Sequence, residues 1–366
     1  MNLAQKLIPP TLNEVIGHEK TIKEWKQRSK EKNFPQVSLF IGPTGVGKTT
    51  LQRIVAKNIL CEHTDNNGNA CNNCSICNAI NLERPAINYY EYDGYDLNIE
   101  KARDIEEIAS RKISFETSNK KVFVLDELQA LSKNPQALKK LLKFLERQYK
   151  EVYFLLGSME TLKLPPAILG RTIKYNLKPL TSKQIGEYLY KYCESINIKI
   201  DTEEKASILL TISEAARGSM RDALAYLERV IYGNIWNEKD LLSELDLVTE
   251  KTLSKIINGL LSGNINVLTE VELTDETIEQ LRKKLNFLYK QAAGLQLPFY
   301  IKGELDKIDT SVHISIIEMC IDRLNSLLKF TYLTPTLIEF TLIGIITQAK
   351  QMQPGQSGAS QRPSRI

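Results

Sequence analysis

A glycine-rich octapeptide, Gly42-Pro43-Thr44-Gly45-Val46-Gly47-Lys48-Thr49, opens a helical pattern that runs directly into four cysteines, Cys61, Cys71, Cys74 and Cys77. The order of the two motifs constrains the fold more than either alone. Val37 to Ile41 is an apolar run suited to a buried strand, and Leu51, Ile54, Val55, Asn58 and Ile59 recur at helical spacing. The loop therefore stands between a strand and a helix, the context a phosphate-binding loop requires. Its glycines let successive backbone N–H groups face one anion, and Lys48 brings a point charge to the outer phosphates of a nucleotide. The Thr49 hydroxyl is an expected Mg²⁺ ligand, with Thr50 beside it in the first turn.

A second apolar run, Val122-Phe123-Val124-Leu125, suits a fully buried parallel strand, and Asp126-Glu127 follow where its carboxyl end would meet the phosphates. A solvated acidic turn needs no such buried lead-in. In a nucleoside triphosphatase Asp126 holds Mg²⁺ and Glu127 polarises the attacking water. The spacing Cys61-x9-Cys71-x2-Cys74-x2-Cys77 puts four thiolates within 17 residues, enough to bite one tetrahedral ion. The stretch Thr64 to Asn69 between them is rich in turn formers and has no core to offer, so a metal is expected to order it. Cys193 and Cys320 are isolated, and no secretion signal precedes Met1-Asn2-Leu3. A reducing, cytoplasmic setting and metal ligation are expected in preference to disulfides. Four protein ligands leave no open position, which points to a structural Zn²⁺, with His63 the alternative to one cysteine.

A chain of 366 residues, 42% hydrophobic and 25% charged, can build two or three cored domains. Its net charge of +4 is too small to argue nucleic-acid binding, so any DNA contact has to be local. The longest candidate for a membrane span, Leu337 to Ile346, is short and interrupted by Glu339 and Thr341. Strands expected at Val37–Ile41, Asn88–Tyr92, Val122–Leu125, Val152–Leu156 and Thr172–Leu177 alternate with helical patterns. Residues 1–178 thus read as an α/β domain with a parallel sheet and helices on both faces. Pro179-Leu180-Thr181 opens an all-helical domain over 179–236, and a third helical domain is expected over 237–350. There Ile278, Leu281, Leu285 and Leu288 form one stripe, and Ile317, Ile321, Leu324 and Leu328 another. Residues 351–366, rich in Gly, Ser, Pro and Gln, are expected to be disordered.

Two further motifs complete a pattern. Leu169-Gly170-Arg171 follows the strand Val152–Leu156, and Ala216-Arg217-Gly218-Ser219-Met220-Arg221-Asp222-Ala223-Leu224 is expected to begin a helix. With these, the chain resembles the ATPase subunits of bacterial clamp loaders, the gamma/tau subunits of DNA polymerase III, in the AAA+ superfamily. The resemblance runs from about Pro9 to Leu224. It implies an AAA+ ATPase domain with a zinc-binding insertion at 61–77, a helical lid and a helical collar that joins subunits into a ring. It also implies ATP and Mg²⁺ at the loop, and it puts Cys61 on the family's first zinc ligand. Arg171 becomes the arginine finger that reaches the γ-phosphate of a neighbouring subunit, and Arg221 the sensor 2 residue acting in cis. Arg103 and Lys143 match basic positions on helices that track DNA phosphates. The partners implied are a sliding clamp, other clamp-loader subunits in a pentameric ring, primer-template DNA and DNA polymerase, with no membrane.

The chain departs from the family at several points. Ile8-Pro9 replaces Arg-Pro, Gly170-Arg171-Thr172 replaces Ser-Arg-Cys, and Glu146-Arg147-Gln148-Tyr149 alters an acidic-to-proline stretch. The polar sensor 1 site reads Gly157-Ser158-Met159-Glu160. A methionine cannot hydrogen-bond the attacking water, so either Ser158 substitutes or turnover is slow. Two other readings stay open: an ATP-inactive structural clamp-loader subunit, and an AAA+ DNA remodelling motor acting without a clamp. The complete P-loop argues against the first and the cysteine module against the second.

Overall fold

Five strands, β1 (Val37–Ile41), β2 (Tyr89–Asp93), β3 (Lys121–Asp126), β4 (Val152–Ser158) and β5 (Ile173–Asn176), form one sheet in the order β2-β3-β4-β1-β5. Every pairing is parallel. The computed structural model describes residues 2–111, 120–147, 149–161, 164–237, 240–241, 250–262, 264, 275–292, 314–327 and 335–352. The chain divides into two units, Met1–Glu238 and Lys239–Ile366.

β1 is buried along its whole length and β3 at all but its last residue, which explains their mainly apolar sequences, with Ser38 and Lys121 the buried polar exceptions. Alternation sends Phe123 and Leu125 of β3 to one face and Val122 and Val124 to the other. On the first face, Tyr90, Phe123 and Phe154 stand opposite one another in register, with centroids 4.9 and 5.2 Å apart. Phe144 of α6 (Pro135–Leu145) closes this row at 5.4 Å from Phe154, and α5 (Ile99–Ser110) lies beside α6. On the second face, Trp25 of α2 (Glu19–Glu31) packs on Phe40 and Tyr175. α3 (Lys48–Leu60) lies there too, burying Leu51, Ile54, Val55, Asn58 and Ile59.

The strand bounds differ slightly from expectation. β2 starts one residue later because Asn88 takes left-handed backbone (φ 62°), and β4 runs on to Ser158. After β5, α8 (Ser182–Ser195) begins at a Thr181/Gln184 capping box, followed by α9 (Glu203–Ala215) and α10 (Met220–Gly233). The segment expected to begin a helix at Ala216 does so only at Met220. Arg217 (φ 48°) and Gly218 (φ 84°) are left-handed, and Ser219 caps the helix by accepting from Asp222 N. The short helices α1 (Leu3–Lys6), α4 (Ser75–Asn81) and α7 (Pro166–Leu169) complete the first unit.

The described part of the second unit holds α11 (Glu250–Ser262), α12 (Asp275–Ala292), α13 (Ile314–Leu327) and α14 (Pro335–Met352). Its core joins Ile256, Leu260, Leu281, Leu285, Leu324 and Ile345. The two predicted stripes are buried through Leu324, whereas Leu328, Gln148 and residues 353–366 lie outside the described residues; Gln351 and Met352, expected in a disordered tail, instead continue α14. No helix among the described residues is long and apolar enough to cross a membrane.

Both tryptophans, Trp25 and Trp236, belong to the first unit, so fluorescence reports its unfolding. Truncating Phe123→Ala, at the centre of the aromatic row, is expected to cost about 3–5 kcal/mol. Urea melts should show a lower midpoint with the slope unchanged.

Candidate nucleotide site and metal centre

Because β1 pairs with β4 on one side and β5 on the other, the loop after β1 sits where the sheet's connections diverge, at the carboxyl ends of the strands. Gly42 N donates to Ser158 O (3.1 Å) and Leu177 N to Ile41 O (2.7 Å), fixing the loop's entrance between its neighbours. Gly47 (φ 98°) precedes α3, whose first turn turns its free N–H groups toward the loop. Lys48 is 5% exposed, and its Nζ donates to Pro43 O at 3.2 Å and lies 3.9 Å from Glu127 Oε1. The Thr49 hydroxyl contacts Asp126 Oδ2, while Asp126 Oδ1 accepts from Glu127 N at 2.9 Å. These are hard oxygen donors of the kind Mg²⁺ prefers, side by side at a helix N-terminus. Glycine at 157 leaves room for Asp126: a Cβ there would stand 2.2 Å from Asp126 Oδ1 and force the carboxylate to move.

Glu127 has left-handed backbone (φ 48°) and opens the 3₁₀ turn Leu128–Lys133. The strain aims its side chain back at Lys48, and such strain persists where surrounding structure enforces it. At the end of β4, the Ser158 hydroxyl is buried and engaged with Gln129 Oε1 (3.0 Å) and Glu160 O (2.8 Å). Met159 presents its thioether to Thr44 Oγ1 at 3.6 Å.

Start of α10 sits directly on the loop. Met220 N donates to Gly45 O at 3.1 Å, and Gly45 (φ 77°) has no room for a side chain, since a Cβ would meet Ser219 Oγ at 1.9 Å. Arg221, on the first turn of α10, is exposed. His18 Nε2 lies 2.9 Å from Val46 O on the other side. Neither Gln129 nor His18 belongs to the motif read from sequence, because each acts through a contact that depends on the folded turn.

The metal-ligating atoms of Cys61, Cys71, Cys74 and Cys77 all lie within 4.8 Å of one another. A tetrahedral Zn²⁺ with Zn–S of about 2.3 Å needs sulfurs about 3.8 Å apart, so the cluster fits zinc with little adjustment. Backbone N–H groups already face the sulfurs: Cys71 N to Cys61 Sγ (3.4 Å), Cys74 N to Cys71 Sγ (3.3 Å) and Cys77 N to Cys74 Sγ (3.5 Å). Burial pushes the Cys61 and Cys77 thiols up, whereas at Cys71 burial is outweighed by the N–H groups of Asn73 and Cys74, which bring it down to about 6. All six cysteines are free of disulfides, and His63 is exposed outside the cluster.

Thr64–Asn69, which a metal is expected to order, also has hydrogen bonds of its own. Asp65 accepts from Asn67 N, Asn69 N and Asn69 Nδ2, and Asn58 of α3 accepts from Ala70 N at 2.9 Å. Beneath the cysteines, Lys57 is 2% exposed and donates to Pro10 O (2.7 Å), Asn72 Oδ1 (2.8 Å) and Asn81 Oδ1 (2.6 Å). Burial lowers its pKa to about 8, against the pull of Cys77, Glu14 and Cys61. A lysine in an apolar helical run, four residues before the first cysteine, was the overlooked sign of this cation.

The profile of the family described as DNA polymerase III, delta subunit, matches residues 17–181. The tau subunit of DNA polymerase III from Bacillus subtilis is 30% identical over 317 residues, covering 82% of this chain and 53% of its own length. The gamma subunit of Buchnera aphidicola subsp. Acyrthosiphon pisum is 28% identical and aligns over 94% of this chain and 98% of itself. The chain belongs to the gamma/tau family of DNA polymerase III subunits. It spans 35% to 53% of the length of the first three curated relatives. Among solved structures, the Thermotoga maritima RuvB Holliday junction branch migration motor aligns over 89% of this chain and 93% of its own, at 18% identity and a TM-score of 0.46. The parallel sheet, flanking helices and four-cysteine cluster make the first unit an AAA+ fold with a zinc-binding insertion.

In this gamma/tau-family chain the remaining sequence-selected residues lie away from the loop. Arg171 stands before β5, at the opposite end of that strand from the P-loop, since Ser38 pairs with Ile173 and Ile41 with Asn176. Its Nη1 donates to Ala167 O (2.8 Å) and its Nη2 to Glu146 Oε1 (3.0 Å), with the side chain 40% exposed. Arg103 on α5 and Lys143 on α6 are both exposed. Between these two helices Glu106 pairs with Lys140 and Arg147, and its hydrogen bond to Lys140 holds its carboxyl below the usual range.

Replacing Cys77→Ser is expected to reduce bound zinc from equimolar to a small fraction of the chain. Metal analysis after dialysis checks this.

Proposed function

We propose that this chain is the ATPase subunit of a DNA sliding-clamp loader. The observation that carries the reading is the convergence of Lys48, Thr49, Asp126 and Glu127 at the head of α3. Lys48 neutralises the outer phosphates, Thr49 and Asp126 hold Mg²⁺, and Glu127 orients the attacking water. When bound, the ion spreads the charge of the leaving phosphates. Gly42, Pro43, Thr44, Gly45, Val46, Gly47 and Thr50 frame the triphosphate, and Arg221 contacts it in cis from the start of α10.

Arg171 acts in trans. A residue at the far end of β5 cannot serve its own P-loop, but a permanently charged guanidinium held at the surface by Ala167 O and Glu146 is free to meet a neighbour's nucleotide. The exposed ion pair with Glu146 is weak, worth about 1 kcal/mol or less, so docking can displace it. ATP binding would then assemble a ring of companion subunits, a pentamer by family resemblance, that holds the sliding clamp open. Primer-template DNA triggers hydrolysis, the clamp closes, and DNA polymerase uses it. Arg103 and Lys143 supply sequence-independent contacts to DNA phosphates from the α5/α6 face.

An ATP-inactive organising subunit is disfavoured by the intact P-loop geometry, and a remodelling motor without a clamp by the cysteine cluster.

Steady-state hydrolysis and nucleotide titration test the site. Lys48→Ala should abolish ATP binding, and Glu127→Gln should keep binding but lower kcat by about 100-fold. Wild-type turnover by the second variant would remove the water-orienting role. Neutralising Arg103 and Lys143 together should reduce DNA-stimulated hydrolysis while sparing the basal rate. An equal loss in both rates would refute the DNA assignment.

A further inference from the structure

Gln129 joins two parts of the site that the family motifs treat separately. It lies in the 3₁₀ turn opened by Glu127 and is 7% exposed. Its Oε1 accepts from Met159 N at 3.1 Å and from Ser158 Oγ at 3.0 Å, and its Nε2 donates to Glu127 Oε2. The amide's orientation is dictated by its neighbours. A backbone N–H can only donate, so the atom facing Met159 N is the oxygen, and the NH₂ group is left for the carboxylate.

The end of β4 has no free polar side chain to offer a phosphate. Ser158 is buried and faces Gln129 and Glu160 O, and Met159 carries a thioether. What β4 presents to the reacting centre is therefore its grip on the Gln129 amide. Glu127 Oε2 is held by that amide, while Oε1 faces Lys48 Nζ at 3.9 Å.

We propose that Gln129 is a positioning residue through which the end of β4 orients the Glu127 carboxylate for hydrolysis, in place of a direct contact from β4 to the nucleotide. The proposal rests on the role of Glu127 given above. The left-handed backbone of Glu127 sets where its side chain starts, and the amide fixes the rotations that remain. Orientation of this kind acts on the rate and leaves ground-state binding of the nucleotide unchanged.

A double-mutant cycle on the full chain, assembled with its companion subunits, tests this. Gln129→Leu, close in size but unable to bridge, should lower kcat at least about 10-fold while the dissociation constant for a fluorescent ATP analogue stays within about threefold. Ser158→Ala removes one of the two anchors and should lower kcat less. Added to Gln129→Leu it should cost nothing further, because both act through one bridge. Gln129→Asn, which keeps the amide, should recover part of the rate, which a purely space-filling role would not give. If Gln129→Leu does not fold, Gln129→Met carries the same test.

Wild-type kcat in the folded Leu or Met variant would overturn the proposal, as would a Ser158→Ala loss that is equal in both backgrounds. A parallel loss of nucleotide affinity would do the same. Glu127→Gln, run alongside, separates the two readings. Unchanged turnover there would remove the role of Glu127 itself, and the Gln129 proposal with it. A slowed Glu127→Gln beside an unaffected Gln129→Leu would overturn the bridge alone.

Discussion

Parallel pairing of β1 between β4 and β5 is the constraint on which the rest of the first unit depends. It brings the ends of three strands to one edge, and the P-loop has to leave from the middle of that edge. Three charged groups, Lys48, Asp126 and Glu127, then meet in a partly buried space. Their mutual contacts make the crowding tolerable: ammonium to carboxylate, hydroxyl to carboxylate, carboxylate to backbone N–H. A triphosphate and its cation complement the same set of charges.

The central strands β1, β3 and β4 were legible because they are almost wholly buried and so read as mainly apolar runs. Asn88 and Gly218 are residue types that favour left-handed backbone, but the type alone does not say which copies adopt it, so the starts of β2 and α10 both lie later than the sequence suggests. The P-loop, the Asp126-Glu127 pair and the four cysteines were visible because their chemistry depends on close spacing along the chain. Gln129 was not: its partners come from β4, some thirty positions further on, and only the folded register brings them together. Lys57 was hidden for a related reason, since its acceptors are a carbonyl of the N-terminal segment and two asparagines of the insertion.

The zinc insertion shows how a segment without an apolar core is held in place. Asp65 closes the loop locally, Asn58 reaches it from α3, and the buried Lys57 ammonium lies beneath the sulfurs. Four thiolates around a divalent ion carry net negative charge, and a nearby cation offsets it in a way that neutral packing could not. Lys57 also grips Pro10 O, so the module is tied to the N-terminal segment as well as to α3.

The seat of Met220 on Gly45 has a mechanical consequence. α10 has 14 residues, a rod about 21 Å long, and its first residue rests on a single peptide of the P-loop. Each degree of tilt at that pivot displaces the distal tip by about 0.4 Å, from the rod length alone. α1, α8 and α9 pack along α10, so a tilt of about 10° at Gly45 would carry them with it and move the remote tip by about 4 Å.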